Sequence, residues 1–138
     1  WGISLEDGNI VSRISNETVF NSWSIEKYDN ANYSKGWHFV VITDNKVKRT
    51  FYKNGKYFSD YLNTIINSGQ NEPLYLGMGG NTGASRFTGM LDDVRIYNEA
   101  LSLSHIKQNY IAGLNSMLSN QTISNEEYNE RINNLSKK

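Results

Sequence analysis

The most informative stretch of the chain reads Arg86-Phe-Thr-Gly-Met-Leu-Asp-Asp-Val-Arg-Ile-Tyr-Asn-Glu-Ala-Leu-Ser-Leu-Ser-His-Ile106. Its first half supplies apolar and aromatic residues that are typical of a β-strand, and Gly89 marks a bend within them. Its second half contains a turn followed by Ser102, whose hydroxyl is suited to accept a free backbone N–H at the start of a helix. The stretch therefore predicts a long strand over residues 86–97 that leads into a helix.

Composition and charge exclude several classes of protein. The chain has 138 residues, which suits one domain with an appendage. Lys+Arg and Asp+Glu both count 14, and this balance argues against nucleic-acid binding, which needs clustered positive charge. No run of about 18 apolar residues occurs, so no membrane-spanning helix is expected. Cysteine is absent, which excludes disulfides, thiolate zinc sites and cysteine nucleophiles.

Two-residue turns divide the first half of the chain into hairpins. Asp7-Gly8 lies between segments of alternating apolar and polar residues, and Asn54-Gly55 lies between Val47–Tyr52 and Lys56–Tyr61. Asn-Gly in particular favours a type I′ turn, because both residues tolerate positive φ. Trp37–Thr43 is a further predicted strand.

The end of the chain has a helical pattern. After residue 101 the spacing of apolar residues changes from a period of two to a period of 3.6. Gly113 is placed to kink or cap the first helix. Ser124 and Glu127 nearly form a capping box at the start of a second helix. Gln121 stands in the connecting turn, where glycine is usual, and predicts a less tight turn.

Two separated motifs carry a family resemblance. Trp37-His-Phe-Val40 followed by Tyr52-Lys-Asn-Gly55, and later residues 87–102, occur in an order that resembles laminin-G-like, concanavalin A-like jelly-roll domains of the pentraxin type. The resemblance covers residues 1–111. It implies a mainly β fold, an antiparallel β-sandwich of jelly-roll type, in a bacterial protein. The predicted α-helical hairpin follows over residues 112–138.

The resemblance has one gap. The N-terminal strands of such domains, with their F-x-G-x-x-D-Y-V and S-W-x-K elements, are missing from this sequence. Either the sequence is a fragment, which is the favoured interpretation, or the missing strands come from another segment or chain. An incomplete sandwich exposes unpaired strand edges, which predicts homo-oligomers formed through them.

The candidate catalytic residues are few. Neither His38 nor His105 lies in a known catalytic motif, and both are interpreted as structural or surface residues. Glycosidases need two carboxylates facing each other across a groove. Asp92 and Asp93 are adjacent, so on a strand they would point to opposite faces. We expect no enzymatic activity.

The aspartate pair has two interpretations. The resemblance implies that Asp92 contributes to a structural calcium site, as an acidic residue of this strand does in some laminin-G-like domains. Calcium prefers several oxygen ligands, carboxylates among them. In the favoured alternative, Asp92 accepts backbone N–H groups and Asp93 pairs with Arg95 or a neighbour. No other cofactor is expected.

Aromatic and amide residues suggest a sugar site. A shallow lectin site would stack aromatic rings on a sugar and bind its hydroxyls through amides, if two loop-rich stretches meet at one rim of the sandwich. The alternative is that Trp23 lies in the core and the others in solvated loops. The candidate ligand-binding residues are Trp23, Tyr28, Tyr33, Asn81 and Arg86.

Two functions stay open. The resemblance implies a non-catalytic module that binds carbohydrate or another surface ligand, on an extracellular or cell-surface protein. The alternative is a structural subunit of a bacterial surface filament, because pilin-like proteins also carry laminin-G-like domains. Fold alone does not decide between them.

Overall fold

The computed structural model of the protein describes residues 2–6, 9–15, 23–27, 36–45, 47–62, 76–79 and 85–137. The chain divides into two compact units, one formed by residues 1–35 and 64–96 and the other by residues 36–63 and 97–138. In chain order the elements are β1 (Gly2–Glu6), β2 (Asn9–Ser15), β3 (Trp23–Lys27), β4 (Val40–Asp44), β5 (Lys48–Lys53), β6 (Lys56–Leu62), β7 (Met78–Gly79), β8 (Ser85–Arg86), α1 (Leu103–Ser119) and α2 (Asn125–Ser136).

The backbone of the first unit forms two antiparallel sheets. One has the strand order β1-β2-β3, with Leu5 opposite Ile10 and Arg13 opposite Ile25. The other pairs β7 with β8. The pairing of β1 with β2 confirms the hairpin predicted around Asp7-Gly8, since their last pair is Glu6 opposite Asn9.

The segment after β8 differs from the prediction. The long strand predicted over residues 86–97 is wrong beyond β8, since residues 87–102 form neither strand nor helix. Asp93 has a φ of 52°, outside the β region. Its N–H donates to Asp92 Oδ1 at 2.8 Å, a local bond that turns the backbone. A strand instead needs a neighbouring strand to receive its backbone hydrogen bonds.

The sheet of the second unit is an antiparallel meander. Its order is β4-β5-β6, with a bulge between Phe51 and Tyr52. Asp44 and Arg49 face each other across the first turn, and Asp44 Oδ2 lies 2.7 Å from Arg49 Nη2. Asn45 Oδ1 accepts the backbone N–H of Lys48 at 2.7 Å, which closes that turn. The three strands confirm the predicted ones, although β4 begins at Val40 rather than at Trp37.

Both helices begin at the predicted caps. Ser102 Oγ accepts the backbone N–H of His105 at 3.3 Å, and Ser124 Oγ accepts that of Glu127 at 3.2 Å. Helix α1 runs through Gly113 to Ser119, so Gly113 is not its cap.

The turn between the helices is a Schellman motif with glutamine in the glycine position. Gln121 has a φ of 58°, and its N–H donates to the Leu118 carbonyl at 3.0 Å. The N–H of Thr122 donates to the Met117 carbonyl at 2.8 Å. These two bonds satisfy carbonyls that the end of a helix leaves free. The turn is therefore fully formed, contrary to the loosening expected from glutamine.

The core of the second unit is formed by apolar side chains of α1, of β5 and of the turn between the helices, and partly buried side chains of α2 pack against it. The most buried are Ile106 and Leu114, at 0% and 1% exposure. Tyr110, Leu114 and Ile123 form one buried cluster. Partly buried apolar residues pack around it: Phe39, Met117, Leu118, Tyr128, Ile132 and Leu135. Phe39 precedes β4, so the cluster joins the helices to the sheet.

Antiparallel β-sheets followed by two C-terminal helices are the part of the predicted fold class that the structure confirms. The division at residues 111 and 112 stays a prediction. In the part of the chain that the structure describes, no helix has the length and apolar character needed to span a membrane.

Candidate functional site

The predicted lectin residues lie mainly outside the described part of the chain. Tyr28, Tyr33 and Asn81 are outside it. Trp23 opens β3 opposite Ser15, and Arg86 ends β8 opposite Met78, but for both the structure describes the backbone alone. The lectin rim therefore stays a prediction.

Asp92 and Asp93 make the contacts predicted by the favoured interpretation, in which Asp92 accepts a backbone N–H and Asp93 pairs with Arg95. Asp92 Oδ1 accepts the Asp93 N–H, and Asp93 Oδ1 lies 2.7 Å from Arg95 Nε. Both interactions confirm that interpretation. Because Asp93 pairs with Arg95, Asp92 is the carboxylate of the two that remains a candidate calcium ligand. Calcium takes six to eight oxygen ligands, so one carboxylate supplies only part of such a site. Calcium binding at Asp92 stays a prediction.

The described side chains of the second unit form a cleft of about 280 Å³ beside the β5–β6 turn. The turn, strand β6 and both helices contribute to it. Most of its lining is polar or aromatic, and three of the side chains are cationic. The lining residues are Lys53, Asn54, Lys56, Tyr57, Phe58, Tyr110, Arg131 and Asn134.

The Asn54-Gly55 turn forms one wall of the cleft. Its φ values of 51° and 76° confirm the predicted type I′ geometry. Asn54 Oδ1 accepts the Phe39 N–H at 3.0 Å, and the Asn54 N–H donates to the Phe39 carbonyl at 2.8 Å. The turn is thus attached by two hydrogen bonds to the segment that precedes β4.

Tyr110 closes the base of the cleft. Its side chain is buried, at 4% exposure, and its ring stacks on Phe39 with centroids 5.7 Å apart. Burial raises the pKa of the Tyr110 hydroxyl above its ordinary value, and the nearby Arg131 guanidinium opposes part of that rise. The hydroxyl is therefore protonated at neutral pH, and it already interacts with the Arg131 side chain.

Arg131 is held by contacts on two sides. Its Nε and Nη2 lie 3.0 Å and 2.6 Å from Glu127 Oε1, one helical turn earlier. Its Nη1 donates to the Trp37 carbonyl at 3.1 Å. These bonds fix the guanidinium plane at the edge of the cleft.

Two aromatic side chains supply the exposed surface of the cleft. Tyr57 and Phe58 are 54% and 39% exposed. The Tyr57 ring also meets Tyr52, directly opposite on β5, edge to face at 6.4 Å. An exposed ring that is braced from one side suits stacking against a flat ligand.

Together these groups can recognise a ligand through hydrogen bonds and ring contacts. The lining residues that the structure describes offer amide, hydroxyl and cationic donors and exposed rings, and none of these residues carries a carboxylate. Sequence reasoning missed this site, although it found the Asn54-Gly55 turn. The other signal in the sequence is the four-residue spacing of Glu127 and Arg131. This spacing predicts an ion pair on one face of a helix, but it does not predict which residues lie beside that pair.

Comparisons with known proteins give the chain's relationships. Residues 4–107 match the laminin G family model described as the concanavalin A-like lectin/glucanases superfamily. The chain is 31% identical over 128 residues to Paraclostridial mosquitocidal protein 1 of Paraclostridium bifermentans, and the match covers 84% of this chain and 10% of that protein. The chain thus spans about a tenth of that relative.

A solved structure has a similar fold. It is an S-layer domain-containing protein (residues 221–444) from Clostridium thermocellum, with a TM-score of 0.51 and 24% identity. The match covers 75% of this chain and 52% of that one. At this identity the likeness concerns the fold.

Proposed function

We propose that this chain, which belongs to the concanavalin A-like lectin/glucanases superfamily, is a non-catalytic module that binds carbohydrate at a bacterial cell surface or in the extracellular space. Its β-strands are proposed to form an antiparallel β-sandwich of the jelly-roll type. The ligand is a glycan rather than nucleic acid, in keeping with the balanced charge of 14 basic and 14 acidic residues.

The observation that carries this proposal is the composition of the cleft. Sugars present hydroxyls around an apolar ring face, so a sugar site combines hydrogen-bonding groups with exposed aromatic rings. Tyr57 and Phe58 supply the rings, and Asn54 and Asn134 supply amides. The predicted rim around Trp23 is the second place where such a combination is expected.

The absence of catalysis is part of the proposal. Glycoside hydrolysis uses two carboxylates on either side of the scissile bond, whereas no carboxylate lines the cleft in the described part of the chain. The two histidines do not line it either. The site is suited to holding a glycan without cleaving it.

The test is a glycan array probed with the full chain and two variants. Tyr57→Ala removes the exposed ring of the cleft, and Trp23→Ala removes the first aromatic residue of the predicted rim. Thermal denaturation of each variant separates lost binding from lost folding. Glycan retention that falls in Tyr57→Ala assigns binding to the cleft, and a fall in Trp23→Ala assigns it to the rim. A chain that retains no glycan would contradict the proposal.

A second candidate is the structural subunit of a surface filament. One observation favours it: apolar side chains are exposed in the segment between β8 and α1. Such exposed groups commonly mark interaction surfaces. The exposed apolar residues are Met90, Leu91, Val94, Ile96 and Tyr97. Light scattering coupled to size-exclusion chromatography tests this candidate, since a chain that stays monomeric at high concentration argues against assembly.

A further inference from the structure

We infer that α2 opens as a unit, separately from α1 and from the sheet of the second unit, and that this opening removes one wall of the cleft beside the Asn54-Gly55 turn. Helix α2 supplies Arg131 and Asn134 to that wall, and the β5–β6 hairpin and α1 supply the rest of the lining. The cleft is therefore complete only when α2 is docked. This inference concerns a motion of the fold, and it holds whatever the cleft binds.

The first observation is the difference in burial between the two helices. Helix α1 contributes three buried side chains, whereas the described side chains of α2 are all partly or fully exposed. Helix α2 packs on the core through Tyr128, Ile132 and Leu135, which are only partly buried. Elements with few buried apolar contacts open at a lower free energy than the whole molecule unfolds. Of the two helices, α2 is therefore the one expected to open first.

The second observation concerns the polar contacts between α2 and the rest of the unit. The Tyr128 hydroxyl donates to Asn115 Oδ1 at 2.7 Å, and this bond is exposed. Water can replace it when it breaks, so its net contribution is small. Arg131 makes the partly buried attachment, since its Nη1 donates to the Trp37 carbonyl at 3.1 Å and its side chain also interacts with the Tyr110 hydroxyl. The docked position of α2 thus depends strongly on one guanidinium.

The third observation is the helix itself. It has 12 residues, Asn125–Ser136, and four of them are asparagine, which has a low helix propensity. Helices shorter than about 12–15 residues are marginal in water without tertiary packing. The Ser124 cap and the pair of Glu127 with Arg131 support α2 locally, but they do not replace the packing. Undocking and unfolding of α2 are therefore expected to occur together.

The turn between the helices sets the boundary of the opening segment. Ile123 is buried, at 7% exposure, and the N–H of Thr122 donates to the Met117 carbonyl at 2.8 Å. Both contacts hold the turn to α1 and the core. We therefore expect the residues up to Ile123 to stay in place while α2 opens.

The opening has a consequence for the cleft. Leu135 and Tyr110 both lie against Gly55, so the loss of Leu135 exposes the base of the cleft as well as its edge. A molecule that contacts both α2 and the β5–β6 turn would bind the docked state alone. It would therefore shift the equilibrium toward that state.

The test is native-state amide hydrogen exchange of the full chain, followed residue by residue by NMR and corrected for the intrinsic rate of each amide. The amides of residues 128–132 in α2 are compared with those of residues 110–114 in α1. We expect the α2 amides to exchange about tenfold faster or more, with one common opening free energy, and the Thr122 amide to stay as slow as α1.

Two results of this comparison would overturn the inference. Equal opening free energies in the two helices would mean that α2 unfolds only with the rest of the unit. A rate that rises steadily toward Ser136 while the Tyr128 amide stays slow would mean that only the end of the helix frays. The comparison is made within the parent protein, so it does not depend on the folding of any variant.

Variants assign the docking to the Arg131 attachment. Arg131→Gln is expected to speed exchange in α2 about tenfold, the effect of one hydrogen bond from a charged group, and to leave α1 and β5 unchanged. Glu127→Gln removes the ion pair but keeps the bond to Trp37, so an effect of only about twofold is expected. Glu130→Gln, at an exposed position of the same helix, is the matched control.

The variants can also contradict the inference. Equal acceleration of α1 and α2 in Arg131→Gln, or equal effects of Arg131→Gln and Glu130→Gln, would overturn it. The exchange is measured without any glycan, so the result is independent of the glycan array, which tests the proposed function.

Discussion

Gly55 lies so close to Tyr110 that a Cβ built on the glycine would come 2.9 Å from Tyr110 Cδ1. The same Cβ would come 2.8 Å from Leu135 Cδ2, so the turn meets a side chain of each helix. The φ of 76° at Gly55 also disfavours any other residue. This contact joins the sheet and the helices of the second unit, and it places the cleft at their junction.

Replacing Gly55 by alanine is expected to destabilise the protein by about 2–4 kcal/mol, because positive φ and overpacking each cost energy. Chemical denaturation measures the free energy of unfolding. Gly113→Ala is the matched control. A Cβ at Gly113 has no neighbour within 4 Å, and alanine in a helix interior is more favourable than glycine by about 1 kcal/mol. Similar effects of the two substitutions would contradict the close packing of the turn.

Replacing Gln121 by glycine is expected to stabilise the protein by about 1 kcal/mol. A left-handed conformation at a residue with a Cβ costs about 1–2 kcal/mol, which glycine avoids. Part of the gain is offset by the greater freedom of glycine in the unfolded chain. Thermal denaturation checks the result. Asn120→Gly is the control, since Asn120 has a φ of −87°, and an equal gain there would argue against the explanation.

The Glu126 carboxyl, at the start of α2, is expected to make the stability of the protein depend on pH. Hydrogen bonds from its own backbone N–H and from Ser124 lower the pKa of the Glu126 carboxyl below its ordinary value. A lowered folded-state pKa stabilises the protein above the unfolded-state pKa, and this contribution is lost as pH falls through the folded-state value. Glu126→Gln should therefore be less stable than the parent at neutral pH and equally stable in acid.

Urea denaturation at several pH values measures that difference. The effect is small because the carboxyl is exposed. Ser124→Ala should reduce the difference between parent and Glu126→Gln, since it removes one of the hydrogen bonds. Ser124→Ala itself should cost about 1 kcal/mol, the usual effect of losing an N-cap. A constant difference down to acid pH would contradict the hydrogen-bond explanation.

Calcium binding at Asp92 is tested by thermal denaturation with calcium and with chelator. If calcium binds the folded protein, its presence raises the melting temperature, because a ligand that binds only the folded state stabilises it. Asp92→Asn should abolish that rise. Asp93→Asn serves as the comparison, since Asp93 pairs with Arg95. No shift with chelator in the parent protein would exclude a structural calcium site.

The predictions confirmed from sequence concern contacts within a few residues. Ser102 and Ser124 cap helices by bonding an N–H three residues later. Asn54-Gly55 forms its turn because both residues accept positive φ. Because such features depend on interactions between residues close together in the chain, residue type and spacing predict them. The Asp92–Asp93 contact is also local, and the sequence predicted it as one of two alternatives.

Other features depend on residues far apart in the chain. The residues after Arg86 have a strand-like pattern, but a strand forms only where another strand receives its hydrogen bonds, and the backbone instead turns at Asp93. The cleft brings Lys56 of β6 together with Arg131 of α2. The family, the Asn54-Gly55 turn and the starts of the helices follow from local pattern and motif. The packing of Gly55 on Tyr110, and with it the cleft, is decided only by the tertiary structure. These residues are far apart in the chain and meet only when the sheet and the helices pack together.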